Sequence, residues 1–517
     1  MNRKNLKKTI FSFLLAIVMS VSFVSIASAE SVSNIASNGS YHNVKTFGAG
    51  LYDSVANKTF ITYSGPEMDV YVKAYNHLTN VWESAIKVYD WNDSSTWAYH
   101  DYPTMVLLPD GKLALFIFDH TTAAYMIKAP NTHSLSGTWT RTVVSNDLNA
   151  YPMPVVSGND IYLFYSRNDD VSYPYRTYRY IKSSDNGTTW SIPSLVIDSG
   201  KTSDKYNEVY AHGVYLKDGK IYISWQLSGG PEGHNKASKD LYLAYLDTET
   251  ATMHNVAGSS VGNVVNAADM DSCKVVTATP ISSNKFPISV SQPSIADDGT
   301  VVIGFGRTYD NGTKKIELGK FVSGAWSFST VTTGTTNFKD MVKSGSDDFE
   351  VLYINGTNID NRKTTDMGSS WSTLYTLGIP YISNADSVNY ANFIENRNSI
   401  RVIAGTINVA ERQTDYTGKW GIFAIKAEQI PPTVYANTSY SGSAVELPEG
   451  TYTMAQLTAL GIGNDSVSSL KVPFGYRVTG YADDNFTGSS WIFTADDSSL
   501  VDNGCNDMFS SIRVEKI

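Results

Sequence analysis

Cysteine is almost missing from this chain: two, Cys273 and Cys505, in 517 residues. A disulfide-stapled secreted scaffold is thereby excluded. The two lie in different expected domains, so two free thiols are expected. Positive charge is also short, with a formal net charge of −10. That argues against blanket binding to nucleic acid or to an anionic membrane surface, and neither partner is expected. Helical periodicity is scarce, and residues 453–461 are the main helical candidate. Past residue 29, no apolar run is long enough to span a bilayer.

The one long apolar run stands at the start. Arg3, Lys4, Lys7 and Lys8 precede an apolar stretch from Ile10 to Ile26, followed by the small residues Ala27-Ser28-Ala29. This is the pattern of a secretory signal peptide over residues 1–29, cut after Ala29, so the expected location is extracellular. Losing the four basic residues takes the net charge to −14. An acidic polysaccharide remains a possible partner if basic side chains are focused in one cleft.

What the chain has in plenty is Tyr, Thr, Ser, Val, Gly and Trp in short apolar runs bounded by Gly, Asp and Asn. This is an all-β pattern. Turn-and-strand units recur at "DSVANKTFITYSG" (53–65), "PDGKLALFIF" (109–118), "SGNDIYLFYS" (157–166), "KDGKIYISW" (217–225), "DDGTVVIGFG" (297–306), "GSDDFEVLYI" (345–354) and "NRNSIRVIAG" (396–405). Seven units at this spacing predict a seven-bladed β-propeller over residues 30–430. "SSDNGTTW" (183–190) and the looser "TTDMGSSW" (364–371) fit the Asp-box pattern. Asp185 and Asp366 are expected to brace turns, and Trp190 and Trp371 to pack between sheets. "EQIPPTV" (428–434) reads as a linker. Beyond it, in 431–517, a module is duplicated: "YANTSYSG" (435–442) returns as "YADDNFTG" (481–488), and "NDSVSSL" (464–470) as "NDMFSSI" (506–512).

The hairpins carry polar residues at their open ends. His100 and His120 have their midpoint at residue 110, inside Asp110-Gly111, so an antiparallel hairpin sets them opposite each other. Tyr151 and Arg167 bracket residue 159 in the same way, and His212 and Gln226 bracket Asp218-Gly219. If the blades are alike, His100, His120, Tyr151, Arg167 and His212 converge on one face. Imidazole removes protons near neutral pH, tyrosine donates one to a leaving oxygen, and arginine binds a carboxylate. Together they suit proton abstraction α to a carboxylate and β-elimination, as in a uronic-acid polysaccharide. Zinc held by His100, His120 and His212 is an alternative, without a short ligand spacing to support it.

The runs "YHDYPTMVLLPDGKLALFIFDH" (99–120), "AYPMPVVSGNDIYLFYSR" (150–167) and "GHNKASKDLYLAY" (233–245), with the Asp box, resemble the BNR-repeat polysaccharide lyases, the group that includes propeller-type ulvan lyases and rhamnosyl-glucuronate lyases. The resemblance covers residues 45–310 best. It implies His100 as the base with His120 beside it, Tyr151 as the acid, and Arg167 as the group that neutralises the uronate carboxylate. His212, His234, Asn235 and Arg307 are the substrate-binding candidates. A sialidase shares Asp boxes, but its Arg-Ile-Pro motif is absent. A propeller glycoside hydrolase needs two flanking carboxylates, and no convincing pair stands at the hairpin ends. A non-catalytic carbohydrate-binding propeller is the third reading. The duplicated tail resembles microbial βγ-crystallin domains, two Greek keys that bind calcium. That resemblance implies Ca²⁺ at Asp465 and Ser468, and again at Asp507 and Ser510, with carbonyl oxygens completing the shell. No organic cofactor is implied, and a monomer is expected.

Overall fold

The computed structural model describes residues 30–39, 48–91, 102–119, 123–147, 149–170, 174–201, 206–229, 233–234, 237–278, 287–379, 386–408, 420–427, 431–473 and 476–516. Among them no helix is long and apolar enough to cross a membrane.

The strands up to Ala427 form seven antiparallel blades. Their first strands are Gly50–Asp53, Thr104–Leu107, Asn149–Ser157, Glu208–Lys217, Ile288–Ile295, Phe338–Lys343 and Asp386–Phe393. First strands of successive blades touch, so they line the axis, and later strands lie further out. All seven predicted turns join a first strand to a second. The turns therefore share one face of the disc and the open hairpin ends share the other. Blade 7 takes its fourth strand from the start of the chain: Glu30–Gly39 pairs antiparallel with Trp420–Ala427. On its other side blade 7 meets blade 1, where the Tyr52 N–H donates to the Glu395 carbonyl and the Glu395 N–H to that of Gly50.

A strand with a blade on either side has two buried faces, and side chains alternate between them. In Lys112–Asp119, Leu113, Leu115 and Ile117 join the core shared with blade 1. Ala114, Phe116 and Phe118 join the core shared with blade 3. Seven such apolar clusters fill the seven interfaces between blades. Ile35, on the closing strand, lies buried in the cluster between blades 7 and 1.

The turns around Asp185 and Asp366 are built alike. Asp185 accepts from the backbone N–H and hydroxyl of Thr189 (2.8 and 2.6 Å), and Asp366 from those of Ser370 at the same distances. Trp190 meets Phe116 of blade 2 edge-on. Gly187 has φ +81, and a Cβ there would strike Met126 at 2.6 Å. Cys273 and Cys505 are free and buried, and burial pushes both thiols up to about 11. Neither is a ready nucleophile at neutral pH.

The C-terminal residues form two sheets that exchange strands. Gly450–Tyr452, from the first repeat, pairs with Ser511–Lys516 of the second. Asp497, from the second, bridges Leu470 of the first. One apolar core with Val434, Leu470, Val478 and Ile512 spans both repeats. Equivalent residues make equivalent bonds: Ser469 Oγ donates to the Asn437 carbonyl and Ser511 Oγ to that of Asp483. The only part of the helical candidate that is helical is Met454–Ala459.

Ile35→Ala is expected to lower the unfolding free energy by about 2–5 kcal/mol, read from urea denaturation. Acid should probe the two aspartate turns. The hydroxyl and backbone donors of Thr189 lower the Asp185 carboxyl to about 2, and those of Ser370 do the same for Asp366. A depressed carboxyl contributes in full above its unfolded value near 4 and loses that contribution as pH falls toward 2. The melting temperature of Asp185→Asn should therefore fall less steeply than wild type over that window.

Candidate active site

The hairpin of blade 2 has the register its spacing predicts, from Thr104 opposite Phe116 to Leu107 opposite Leu113. His100 and His120, and also Asn235, lie outside the described residues.

In blade 3 the expected pairing is corrected. Met153–Ser157 pair in register with Asp160–Phe164, but a bulge follows, and Asn149, not Tyr151, stands opposite Arg167. A bulge adds one residue to one strand, which displaces everything beyond it and re-aims the side chain at its crown. Tyr151 is that residue, with φ +64, a conformation rare for a tyrosine. Blade 4 repeats the correction. The register slips between Ala211 and Gly213, so Tyr210, not His212, faces Gln226. His212 sits on the bulge. Its side chain is buried, with Nδ1 3.1 Å from Ser291 Oγ of blade 5.

What gathers at the open ends of blades 2, 3 and 4 is a tyrosine cluster: Tyr102, Tyr151 and Tyr210, all buried. Arg176, from the third strand of blade 3, lies among them. Its Cζ is 4.7 Å from the Tyr210 ring centroid and 5.7 Å from that of Tyr151. It is 2% exposed. Burial works against its charge, but Tyr210, Tyr151 and Glu208, with a hydrogen bond to Tyr151, hold the guanidinium above its ordinary value. Among the described residues Nε and Nη1 have no hydrogen-bond partner. Glu208, equally buried, lies 2.5 Å from His234 Nδ1, while the His234 side chain is 63% exposed. Against a carboxylate, which only accepts, Nδ1 is the donor.

Arg167 is held differently from the expectation. Its Nε is 2.6 Å from Asp147 and its Nη1 2.9 Å from Asp169, and Arg179 shares Asp169. Two guanidiniums meet two carboxylates, so the group is already neutralised, and Nη2 is the nitrogen neither aspartate engages. Arg307 stands on blade 5, stacked on Tyr309 and donating to the Thr277 carbonyl (3.0 Å). Among the described residues no three His, Cys, Asp or Glu side chains gather as a metal site.

Tyr102, Arg176, Glu208 and Tyr210 were not anticipated. A signal for Arg176 exists: in Tyr175–Ser183, period two puts it on one face with Tyr178 and Tyr180, which pack against blade 4. A guanidinium in a core-facing register marks a site.

In the C-terminal repeats the donor oxygens pair across the repeats, not within them. Ser468 Oγ donates to Asp507 Oδ1 (3.0 Å) and to the Ala436 carbonyl (3.0 Å). Ser510 Oγ donates to Asn464 Oδ1 (2.9 Å) and lies 3.5 Å from Asp465 Oδ1. The expected pairs Asp465 with Ser468 and Asp507 with Ser510 are thus exchanged, because the repeats interlock. Each group holds one carboxylate among neutral oxygens, a hard-oxygen set that fits calcium.

This disc of four-stranded blades carries a tyrosine–arginine cluster on its open-end face, and the chain belongs to the BNR repeat-containing family, whose model matches residues 58–334. Its sequence is similar to Ulvan Lyase-PL25 of Pseudoalteromonas sp. (strain PLSV), 25% identical over 233 residues, covering 39% of this chain and 47% of that one. It is also similar to Development-specific protein S of Myxococcus xanthus, 44% identical over 82 residues, covering 16% of this chain and 46% of that protein. The chain thus spans about half the length of the curated relatives it matches. The solved PL25 ulvan lyase bound to -[GlcA(1-4)Rha3S]- shares the fold, with a TM-score of 0.63 at 16% identity over 76% of this chain and 96% of that one.

Removing the carboxylate that orients His234 is expected to free the ring without unfolding the blade. Glu208→Gln should move the NMR resonances of the His234 ring protons at fixed pH, whereas Asp169→Asn should leave them in place.

Proposed function

We propose that the protein is a secreted polysaccharide lyase that cleaves a uronate-containing polysaccharide by β-elimination. The observation that carries the reading is Tyr151, lifted on a bulge and hydrogen-bonded by the buried Arg176, on the open-end face of a BNR propeller. The likeness to ulvan lyases supports the reaction class, and the leader-like residues 1–29 support secretion.

In the proposed reaction the base, His100 with His120 beside it, takes the C5 proton of the uronate. The C5–H electrons become the C4–C5 double bond. The C4–O bond breaks, and Tyr151 gives its proton to the leaving oxygen. Arg176 stabilises the phenolate that Tyr151 becomes, because a buried cation beside a phenolic oxygen favours negative charge there. Arg167 meets the substrate carboxylate through Nη2. His234, fixed by Glu208, and Arg307 bind hydroxyl or carboxylate groups along the chain.

The test is ultraviolet absorbance of the unsaturated uronate while the protein meets ulvan, glucuronan, pectin and arabinogalactan with rhamnosyl-glucuronate ends. A rise on one polymer is expected. New reducing ends without absorbance mean hydrolysis and overturn the proposal. Tyr151→Phe should lower the rate by about 10²–10⁴-fold.

We also propose that the C-terminal domain binds calcium at the two crossed groups, Asp507 with Ser468 and Asp465 with Ser510. Bound there, Ca²⁺ ties one repeat to the other through oxygen ligands. Calcium should raise the melting temperature of the wild-type protein relative to chelator, and Asp465→Ala plus Asp507→Ala together should abolish that rise.

A further inference from the structure

A second polar site lies at the turn end of the central channel, away from Tyr151. A cavity of about 1160 Å³ opens there. Most of its wall is apolar, with Leu51, Met105, Val155, Val214 and Leu216 from the first strands of blades 1 to 4. Blade 6 supplies a different wall. Its four strands contribute polar side chains, in order from the axis outward: Asp340 and Lys343, Glu350, Asn361 and Lys363, and Tyr375. Glu30, Arg397 and Arg401 of blade 7 line the same cavity. Stable packing of two blades does not require this stripe, since apolar clusters build the rest of their interface.

Part of the stripe is satisfied internally. Arg397 is bidentate on Glu350 (2.6 and 2.9 Å), and Asn361 Nδ2 donates to the same carboxylate (2.9 Å). Asp340 accepts from the backbone N–H groups of Met341 (2.8 Å) and Phe393 (2.9 Å). Burial raises its carboxyl to about 7. What is left over points to a ligand. Among the described residues Arg401 Nε is buried without a hydrogen-bond partner, and the Tyr375 hydroxyl and the Asn361 amide oxygen have no well-formed partner beyond each other's side chains. Tyr375 is 7% exposed and Asn361 1%. Buried polar atoms left so are rare in folded proteins.

The balance of charge selects the ligand class. Arg397 is held by Glu350, Lys343 by Asp297 and Lys363 by Asp348, and burial raises the Asp340 and Glu395 carboxyls toward their neutral forms, so the wall carries little net charge while it offers donors and acceptors together. The facing wall is apolar. A molecule with hydroxyls on its rim and C–H groups on its face matches both. The volume lies just above the range of small-molecule pockets, about 300 to 1,000 Å³, which leaves room for more than one sugar ring. We infer that this cavity binds a neutral saccharide of one to three units, at a site separate from the proposed lyase cleft.

Calorimetric titration of the full chain with glucose, galactose, rhamnose, xylose, cellobiose, maltose and maltotriose tests this. At least one should bind wild type and Tyr151→Phe alike. Its affinity should fall about tenfold or more in Asn361→Leu and in Tyr375→Phe. The ligand-free melting temperature of each variant, measured alongside, separates lost binding from lost folding. The inference is overturned if no sugar binds wild type, if both channel variants bind as wild type does, or if Tyr151→Phe alone abolishes binding.

Discussion

Closure of the ring is the constraint on which the rest of the structure depends. Seven blades share seven apolar interfaces, and none of these is complete unless the last blade meets the first. That meeting rests on Glu30–Gly39, a strand drawn from the opposite end of the propeller sequence, paired to Trp420–Ala427. Until those ends join, Ile35, Ile61, Tyr63 and Ile403 lack their common core. The channel, its two faces and both polar sites are consequences of a closed disc. The same closing strand brings Glu30 to the cavity that the polar stripe of blade 6 lines.

Within the closed ring, a bulge in the first strand sets the chemistry. In blades 3 to 7 the register of that strand slips near its open end. The extra residue turns Tyr151 into the cluster with Tyr102 and Tyr210, and turns His212 into the interface with blade 5. One backbone device thus serves two ends. The difference lies in what the neighbouring blade presents: Arg176 and Tyr210 in one case, Ser291 and Gln292 in the other. Gly213, just past the second bulge, lies so close to blade 5 that a Cβ would fall 2.1 Å from Gln292 Oε1. The strand bends where the neighbour presses.

The C-terminal repeats show the same lesson at smaller scale. Each repeat places its Asp and Ser close in sequence, yet the oxygens meet across the repeats because Gly450–Tyr452 crosses into the other sheet. Strand exchange makes the two repeats one folding unit with one core.

Much of the fold was legible in the sequence. The seven turns, the two aspartate turns, the duplicated tail and the all-β character are written in stretches of ten to fifty residues, where turn chemistry and period-two alternation act locally. Of the candidate site, Tyr151 was legible as a residue. Its partner was not, because midpoint counting assumes an unbroken ladder and a bulge breaks it. Arg167 was legible together with Asp169, two residues along the same strand, as a partner, whereas Asp147 closes on it only in the folded blade. Arg176 stood in a core-facing register of its strand, but the rings it meets became visible only once blade 4 was beside it. The sequence by itself determined the number of blades, where each hairpin turns and which side chains share a face, since hydrogen bonds and sterics between near neighbours fix these. Tertiary structure decided which groups meet, since side chains from separate blades find their distances and charges only when packing brings the blades together.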